Sequence, residues 1–141
     1  MAVAVASART EENQPLYQVT GVDQPTPDGM ARVDAINRGV FPFPTLDCKL
    51  QSALVGASAV GNLRATTDES VYELADIVVV DVGLDISFLA DEPQLEMAGF
   101  EDAVRTVFSK VSPDTLILIE TTVPPGTCEK LLVPLLQDEL R

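Results

Sequence analysis

Two unbroken apolar runs, Ile77-Val-Val-Val80 and Leu116-Ile-Leu-Ile119, constrain the fold more than any other feature of this chain. Side chains alternate across a strand, so four apolar residues in succession put hydrocarbon on both faces. That pattern is expected of a parallel strand buried on both sides by helices. Between the runs, Phe100, Ala103, Val104, Val107, Phe108 and Val111 recur at helical spacing, and Pro113 ends the helix. Strand, helix and strand in this order make a βαβ unit and predict a mostly parallel sheet with helices on both faces.

The same reading extends in both directions. Residues 1–12 look like an Ala-rich helix without an N-cap, breaking down in the polar stretch Arg9-Thr-Glu-Glu-Asn-Gln-Pro15. A short strand over 17–22 ends on Asp23. Thr26 is placed to cap a helix over 27–38, with Pro27 as its first residue, Met30, Val33 and Ile36 facing inward, and Gly39 at its left-handed end. A second helix is predicted over 46–60, a strand over 63–67 and one to two helical turns over 69–74. Residues 83–99 read as a long loop. The last helix, over 127–140, is expected to kink at Pro134.

Charge narrows the partners. Twenty-two acidic side chains against nine Lys and Arg, with no His, leave a net charge of −13. Such a surface repels phosphate backbones and anionic lipid heads, so neither nucleic acid nor a membrane is an expected partner. It also repels an anionic cofactor, which must then be held by local backbone donors or cations. At 46% hydrophobic residues and 141 in length, the chain is expected to fold as one compact domain. Two cysteines are too few for a disulfide framework, and without His no zinc site is expected, so a cytoplasmic, reducing setting is the default. Met1-Ala-Val-Ala-Val-Ala-Ser-Ala8 lacks the basic leader and long apolar core of an export signal. No apolar run approaches the roughly 20 residues of a membrane span.

In open parallel sheets, ligands bind beyond the carboxyl ends of the strands. That directs attention to Asp23, to 81–85 and to 120–126. Asp23 is placed where a carboxylate accepts hydrogen bonds from the ribose hydroxyls of a dinucleotide; its charge disfavours a 2′-phosphate and so favours NAD over NADP. The plainer reading is a turn-initiating Asp before Gln24-Pro25. Glu120-Thr-Thr-Val-Pro-Pro-Gly-Thr127 puts two hydroxyls and a stiff turn at a strand end, with a helix N-terminus behind them. Asp81, after its apolar strand, is also positioned like the phosphoacceptor of a receiver domain, although the acidic pair and the lysine such a domain needs are missing. Cys128 lies in a first helical turn with no His to activate it, and reads as a partly buried structural thiol.

The segment 120–127 resembles the strand-turn-helix signature of the UDP-glucose/GDP-mannose dehydrogenase family. The resemblance continues in order through Thr20-Gly-Val-Asp23, Ile36-Asn-Arg-Gly39, Leu63-Arg-Ala-Thr-Thr-Asp68 and Ala75-Asp-Ile-Val-Val-Val80, and covers nearly the whole chain. It implies an incomplete Rossmann-like, doubly wound α/β domain over residues 1–141. The family's first strand and Gly-rich loop would precede Met1-Ala-Val-Ala-Val-Ala, which is similar to the helix after that loop. The absent strand would be central, between those at 17–22 and 75–81.

The resemblance also implies NAD as cofactor and a two-step oxidation of the C6 alcohol of a nucleotide sugar to a carboxylate. That reaction passes through a thioester on a cysteine belonging to a part of the family's enzymes not found here. Asp23 matches the ribose-binding Asp. Thr122 matches the threonine that lies near the nicotinamide and holds the catalytic water, with Thr121 and Val82 as neighbouring cofactor contacts. Where many members read Val-Pro-Thr-Pro this chain has Val82-Gly-Leu-Asp85, and Phe43-Pro-Thr-Leu46 replaces Glu-Pro-Gly-Leu. The expected partner is a nucleotide sugar, in a full-length homo-oligomer. The 141 residues alone are expected to be inactive and to bind NAD weakly or not at all, as a non-catalytic fragment would.

Overall fold

The computed structural model describes residues 1–84, 86–89 and 92–139, the side chains of 87–89 and 92–94 excepted. It divides into two compact units, Met1–Glu69 and Ser70–Arg141.

The first unit is built on two parallel strands, β1 (Val19–Val22) and β2 (Leu63–Thr66), in register from Val19 opposite Leu63 to Val22 opposite Thr66. A short helix α1 (Ala2–Ala6) precedes them; α2 (Pro27–Asn37) and α3 (Cys48–Val60) form the crossover. Ala6, Leu54, Ala57 and Leu63 make the core, with Val3, Val19, Ile36 and Phe41 packed around it. Each helix end has a local cause. Thr26 Oγ1 accepts the Gly29 N–H at 3.1 Å and Pro27 opens α2. Asp47 Oδ1 caps α3 by accepting from the Lys49 and Leu50 amides. Gly39 and Gly61 follow the two helices with φ of 71° and 79°, the left-handed geometry that favours glycine. Helix α1 stops at Ala6, earlier than its composition indicated. The Arg9 guanidinium donates to the Ala6 and Ala8 carbonyls, acceptors that a longer helix would have used, and Ser7 Oγ donates to the Val3 carbonyl.

Met30 does not face inward as its spacing indicated; it is 51% exposed. Gly29 is the buried residue of α2 instead, with Val33 and Ile36 half-buried. The helix lies so close to the chain at Gln24 that a β-carbon on Gly29 would collide with the Gln24 carbonyl oxygen. At the other end of α2, the Asn37 side chain acts as a strand would. Its Nδ2 donates to the Ala65 carbonyl and its Oδ1 accepts the Ala65 N–H, at 2.9 and 2.8 Å. That pair fixes α2 to β2.

The second unit holds β3 (Ile77–Val80), the hairpin strands β4 (Ile86–Leu89) and β5 (Glu92–Leu95), α4 (Ala98–Lys110), β6 (Leu116–Ile119) and α5 (Val133–Glu139). A 3-10 segment, Glu69–Leu74, lies at the boundary. β3 and β6 are parallel, Ile77 opposite Leu116 through Val80 opposite Ile119. The stretch read as a long loop contains the antiparallel pair β4 and β5. Ile86-Ser-Phe-Leu89 has the alternating, β-prone character of a strand, which its mixed polarity obscured. Asp85 lies outside the described residues.

The core joins Val78 and Val80 to Phe100, Val104, Val107 and Phe108 of α4 and to Leu132 and Leu135 of the last helix. Both helices therefore cover the same side of the β3–β6 sheet. The expectation that these strands are buried on both faces fails in this unit: Ile77, Val79, Leu116 and Leu118 are 47%, 39%, 53% and 40% exposed. The final helix opens as a π turn, Cys128–Leu132, before α5. Proline at 134 has no N–H and crowds the carbonyl four residues back, and a wider turn before it relieves that conflict.

Candidate functional site

Asp23 follows β1 at its carboxyl end, and its amide donates to the Thr66 carbonyl at 3.0 Å, extending the ladder by one rung. The turn Gln24-Pro25 then brings the chain back over the first turn of α2. Arg32, one turn further along, reaches Asp23 with both arms of its fork: Nε to Oδ2 at 2.7 Å and Nη2 to Oδ1 at 2.9 Å. The Gln24 N–H donates to Oδ1 at 2.8 Å. Hydrogen bonding by the Arg32 guanidinium is the main cause that holds the Asp23 carboxyl below its ordinary range, the Gln24 amide adding to it and partial burial opposing it. The carboxylate is thus ionised, oriented and 29% exposed. Oδ1 already takes two donors, whereas Oδ2 takes one, so Oδ2 keeps a position for a further donor such as a sugar hydroxyl.

Arg32 escaped the sequence reading, and so did Gly29. The signal was present: Gly29, Arg32, Val33 and Ile36 share one face of α2 by helical spacing, a small residue facing the turn and a cation one turn above it.

In the second unit, Thr121 and Val82 come together. Thr121 Oγ1 accepts the Val82 N–H at 2.9 Å and lies 3.4 Å from the Val80 carbonyl, while Thr121 itself is only 8% exposed. Its hydroxyl therefore ties the end of β6 to the end of β3. Thr122, the next residue, is exposed, and among the described residues its hydroxyl has no hydrogen bond. The turn behind it is stiff: Thr127 Oγ1 donates to the Pro124 carbonyl at 2.8 Å, the Thr127 N–H to the same oxygen at 3.1 Å, and Gly126 sits at φ 85°. Two adjacent threonines are divided between a structural hydroxyl, Thr121, and an open one, Thr122. Cys128 is exposed, not the partly buried thiol its context indicated, and it stands outside the core cluster that takes in Leu132 of the same turn. Among the described residues, no three His, Cys, Asp or Glu side chains gather where a metal ion could sit.

The cavity of about 270 Å³ lined by Gln18, Val19, Thr20, Gly61, Asn62 and Arg64 lies at the amino ends of β1 and β2, the opposite end of that sheet from Asp23. It is not where an open parallel sheet binds its ligand.

The sequence profile of the UDP-glucose/GDP-mannose dehydrogenase family, NAD binding domain, matches residues 5–141. The chain belongs to this family. The UDP-N-acetyl-D-mannosamine dehydrogenase of Pyrococcus horikoshii is 31% identical over 101 residues, which are 70% of this chain and 22% of that protein. The GDP-mannose 6-dehydrogenase of Pseudomonas putida is 30% identical over 129 residues, 86% of this chain and 27% of that one. Among solved structures, the NDP-N-acetyl-D-galactosaminuronic acid dehydrogenase of Methanosarcina mazei Go1 superposes on 98% of this chain and 28% of its own, with a TM-score of 0.85 at 24% identity, which establishes the shared Rossmann-like fold. The chain spans 22% to 28% of the length of these relatives. Family membership replaces the receiver-like reading of Asp81, which stands exposed at the end of β3. It makes NAD the cofactor of the domain.

Proposed function

We propose that this chain is the cofactor-binding part of an NAD-dependent dehydrogenase that oxidises the C6 alcohol of a nucleotide sugar to the uronate. Asp23 is its ribose-binding carboxylate and Thr122 its water-positioning hydroxyl. The observation that carries the reading is the state of Asp23: an ionised carboxylate at a strand's carboxyl end, oriented by Arg32 and Gln24, with Oδ2 still able to accept a hydroxyl. Its negative charge repels a 2′-phosphate, so NAD is preferred to NADP.

Bound NAD would supply the hydride acceptor, one per two-electron step. What these residues supply is placement. Thr121 and Val82 fix the carboxyl ends of β6 and β3 through a partly buried hydrogen bond, and their backbone, more than the occupied Thr121 hydroxyl, forms the cofactor-side surface. Thr122, beside them and open to solvent, orients a water molecule; a threonine hydroxyl is too weak a base to do more.

Binding by these 141 residues alone is weak. No two of the eight glycines stand two apart, so the chain contains no Gly-x-Gly phosphate turn, and a net charge of −13 opposes an anionic dinucleotide. Turnover requires the thiol and sugar-binding residues of a larger, cytoplasmic, homo-oligomeric enzyme. The reading is tested by saturation-transfer NMR with NAD and NADP. Saturation should reach the adenosine ribose protons of NAD more than those of NADP, and Asp23→Ala should abolish the difference; equal transfer to both cofactors with Asp23 intact would refute the assignment.

A further inference from the structure

Three hydrogen-bond donors converge on the Asp23 carboxylate: Arg32 Nε on Oδ2 at 2.7 Å, Arg32 Nη2 on Oδ1 at 2.9 Å and the Gln24 N–H on Oδ1 at 2.8 Å. Gly29 leaves the space in which they meet, because a β-carbon there would come within 3.1 Å of Oδ1. This is a cradle for two oxygens of an anion, and the chain fills it with a side chain of its own. A guanidinium edge that holds a carboxylate at two points holds two phosphate oxygens in the same way.

We propose that Arg32 sets the choice between NAD and NADP, and that Asp23 excludes a 2′-phosphate by occupying the Arg32 fork and not by its charge alone. The inference rests on the reading of Asp23 as the ribose-side carboxylate. The charge of one carboxylate, 29% exposed and paired with a guanidinium 2.7 Å away, is partly cancelled before it reaches a ligand. Occupation is not cancelled: while the fork is closed, a 2′-phosphate finds no two-point donor at this position. Shortening Asp23 turns Arg32 and the Gln24 amide toward the ligand. Asp28 also lies within electrostatic reach of Arg32, but it is exposed and among the described residues makes no hydrogen bond to it. It lessens the charge of the cradle without filling it. The two mechanisms part in a double variant. If charge alone kept the phosphate out, removing the Asp23 carboxylate would admit it whatever stands at 32; if occupation does, admission requires Arg32.

The test is an amide-shift titration of the isotope-labelled chain with adenosine and with adenosine 2′-monophosphate, which differ only in that phosphate. The unmodified chain should bind the phosphorylated nucleoside no more tightly than adenosine. Asp23→Ser should bind it about tenfold or more tightly than adenosine, and Asp23→Ser combined with Arg32→Gln should lose that gain. An equal gain in the single and the double variant, or no gain in the single one, overturns the proposal. Inorganic phosphate reads the cradle without the nucleoside: in Asp23→Ser it should shift the Gln24 amide and the Arg32 Nε–H, and in the unmodified chain it should leave both in place. Phosphate that moves neither signal in Asp23→Ser overturns the proposal even if the double variant does not fold. Adenosine shifts centred away from Asp23 in the unmodified chain would instead refute the ribose-side assignment, a failure separate from the response of the cradle to phosphate.

Discussion

Arg32 closes a two-point fork on Asp23, with Nε 2.7 Å from Oδ2 and Nη2 2.9 Å from Oδ1. The pair joins the end of β1 to the middle of α2, so the candidate ribose anchor and the helix behind it move as one piece. An arginine fork fixes both distance and plane, which a lysine point charge does not.

The pair makes folding depend on pH in a defined direction. The folded-state pKa of Asp23 lies below its ordinary value of 3.8, chiefly through the Arg32 hydrogen bonds. A depressed acid contributes stability that is fully present above the unfolded value and is lost as pH falls through the folded one. In urea unfolding, the unmodified chain should exceed Asp23→Asn at about pH 6, and the gap should narrow in the acid range below the ordinary carboxylate pKa. A carboxyl-directed NMR titration should also show Asp23 moving up toward its ordinary value in Arg32→Gln. A gap independent of pH, or an unmoved titration, would deny the pair its role.

Gly29 sets two opposing effects against each other. In an ordinary helix, Gly→Ala stabilises by about 1 kcal/mol. Here the added β-carbon meets the Gln24 carbonyl oxygen and comes within 3.1 Å of Asp23 Oδ1. Overpacking of this kind costs about 1–3 kcal/mol, so Gly29→Ala should lower stability and disturb the Asp23 titration. Thermal melts that show a stabilised variant would mean that α2 shifts freely.

The adjacent threonines should separate cleanly. Thr121→Val leaves the partly buried Val82 N–H without its acceptor, and losing such a hydrogen bond costs about 0.5–1.5 kcal/mol. Thr122→Val removes an exposed hydroxyl and should change stability by no more than about 0.5 kcal/mol. Denaturant midpoints read both, and equal losses would contradict the division of labour between them.

Much of this architecture is written in local pattern. Thr26-Pro27, Gly39 and Gly61 mark helix ends because capping and left-handed backbone are decided by a few neighbouring residues. The apolar periods of α4, β3 and β6 likewise report their own elements. What pattern did not show depends on partners distant in sequence. Met30 has the spacing of a core residue, yet the close approach of Gln24 turned the helix onto Gly29. The run at 77–80 is apolar throughout, and only the shared placement of α4 and the last helix reveals that one face stays open. At the candidate site, Asp23 and Thr122 were legible from their motifs; the Arg32 fork and the capture of the Thr121 hydroxyl by Val82 were not, because each is a contact across elements.

The central claim is that Asp23 and the turn after β6 are the cofactor-contacting parts of an NAD-binding family domain. Amide chemical-shift mapping during titration with NAD tests it most directly. The account predicts a weak interaction, with a dissociation constant no tighter than about 1 mM, whose shifts concentrate at Asp23, Gln24 and Arg32 and at Val82, Thr121 and Thr122, and fall away in Asp23→Ala. Shifts centred elsewhere, such as the cavity around Asn62, or a pattern untouched by Asp23→Ala, would contradict it.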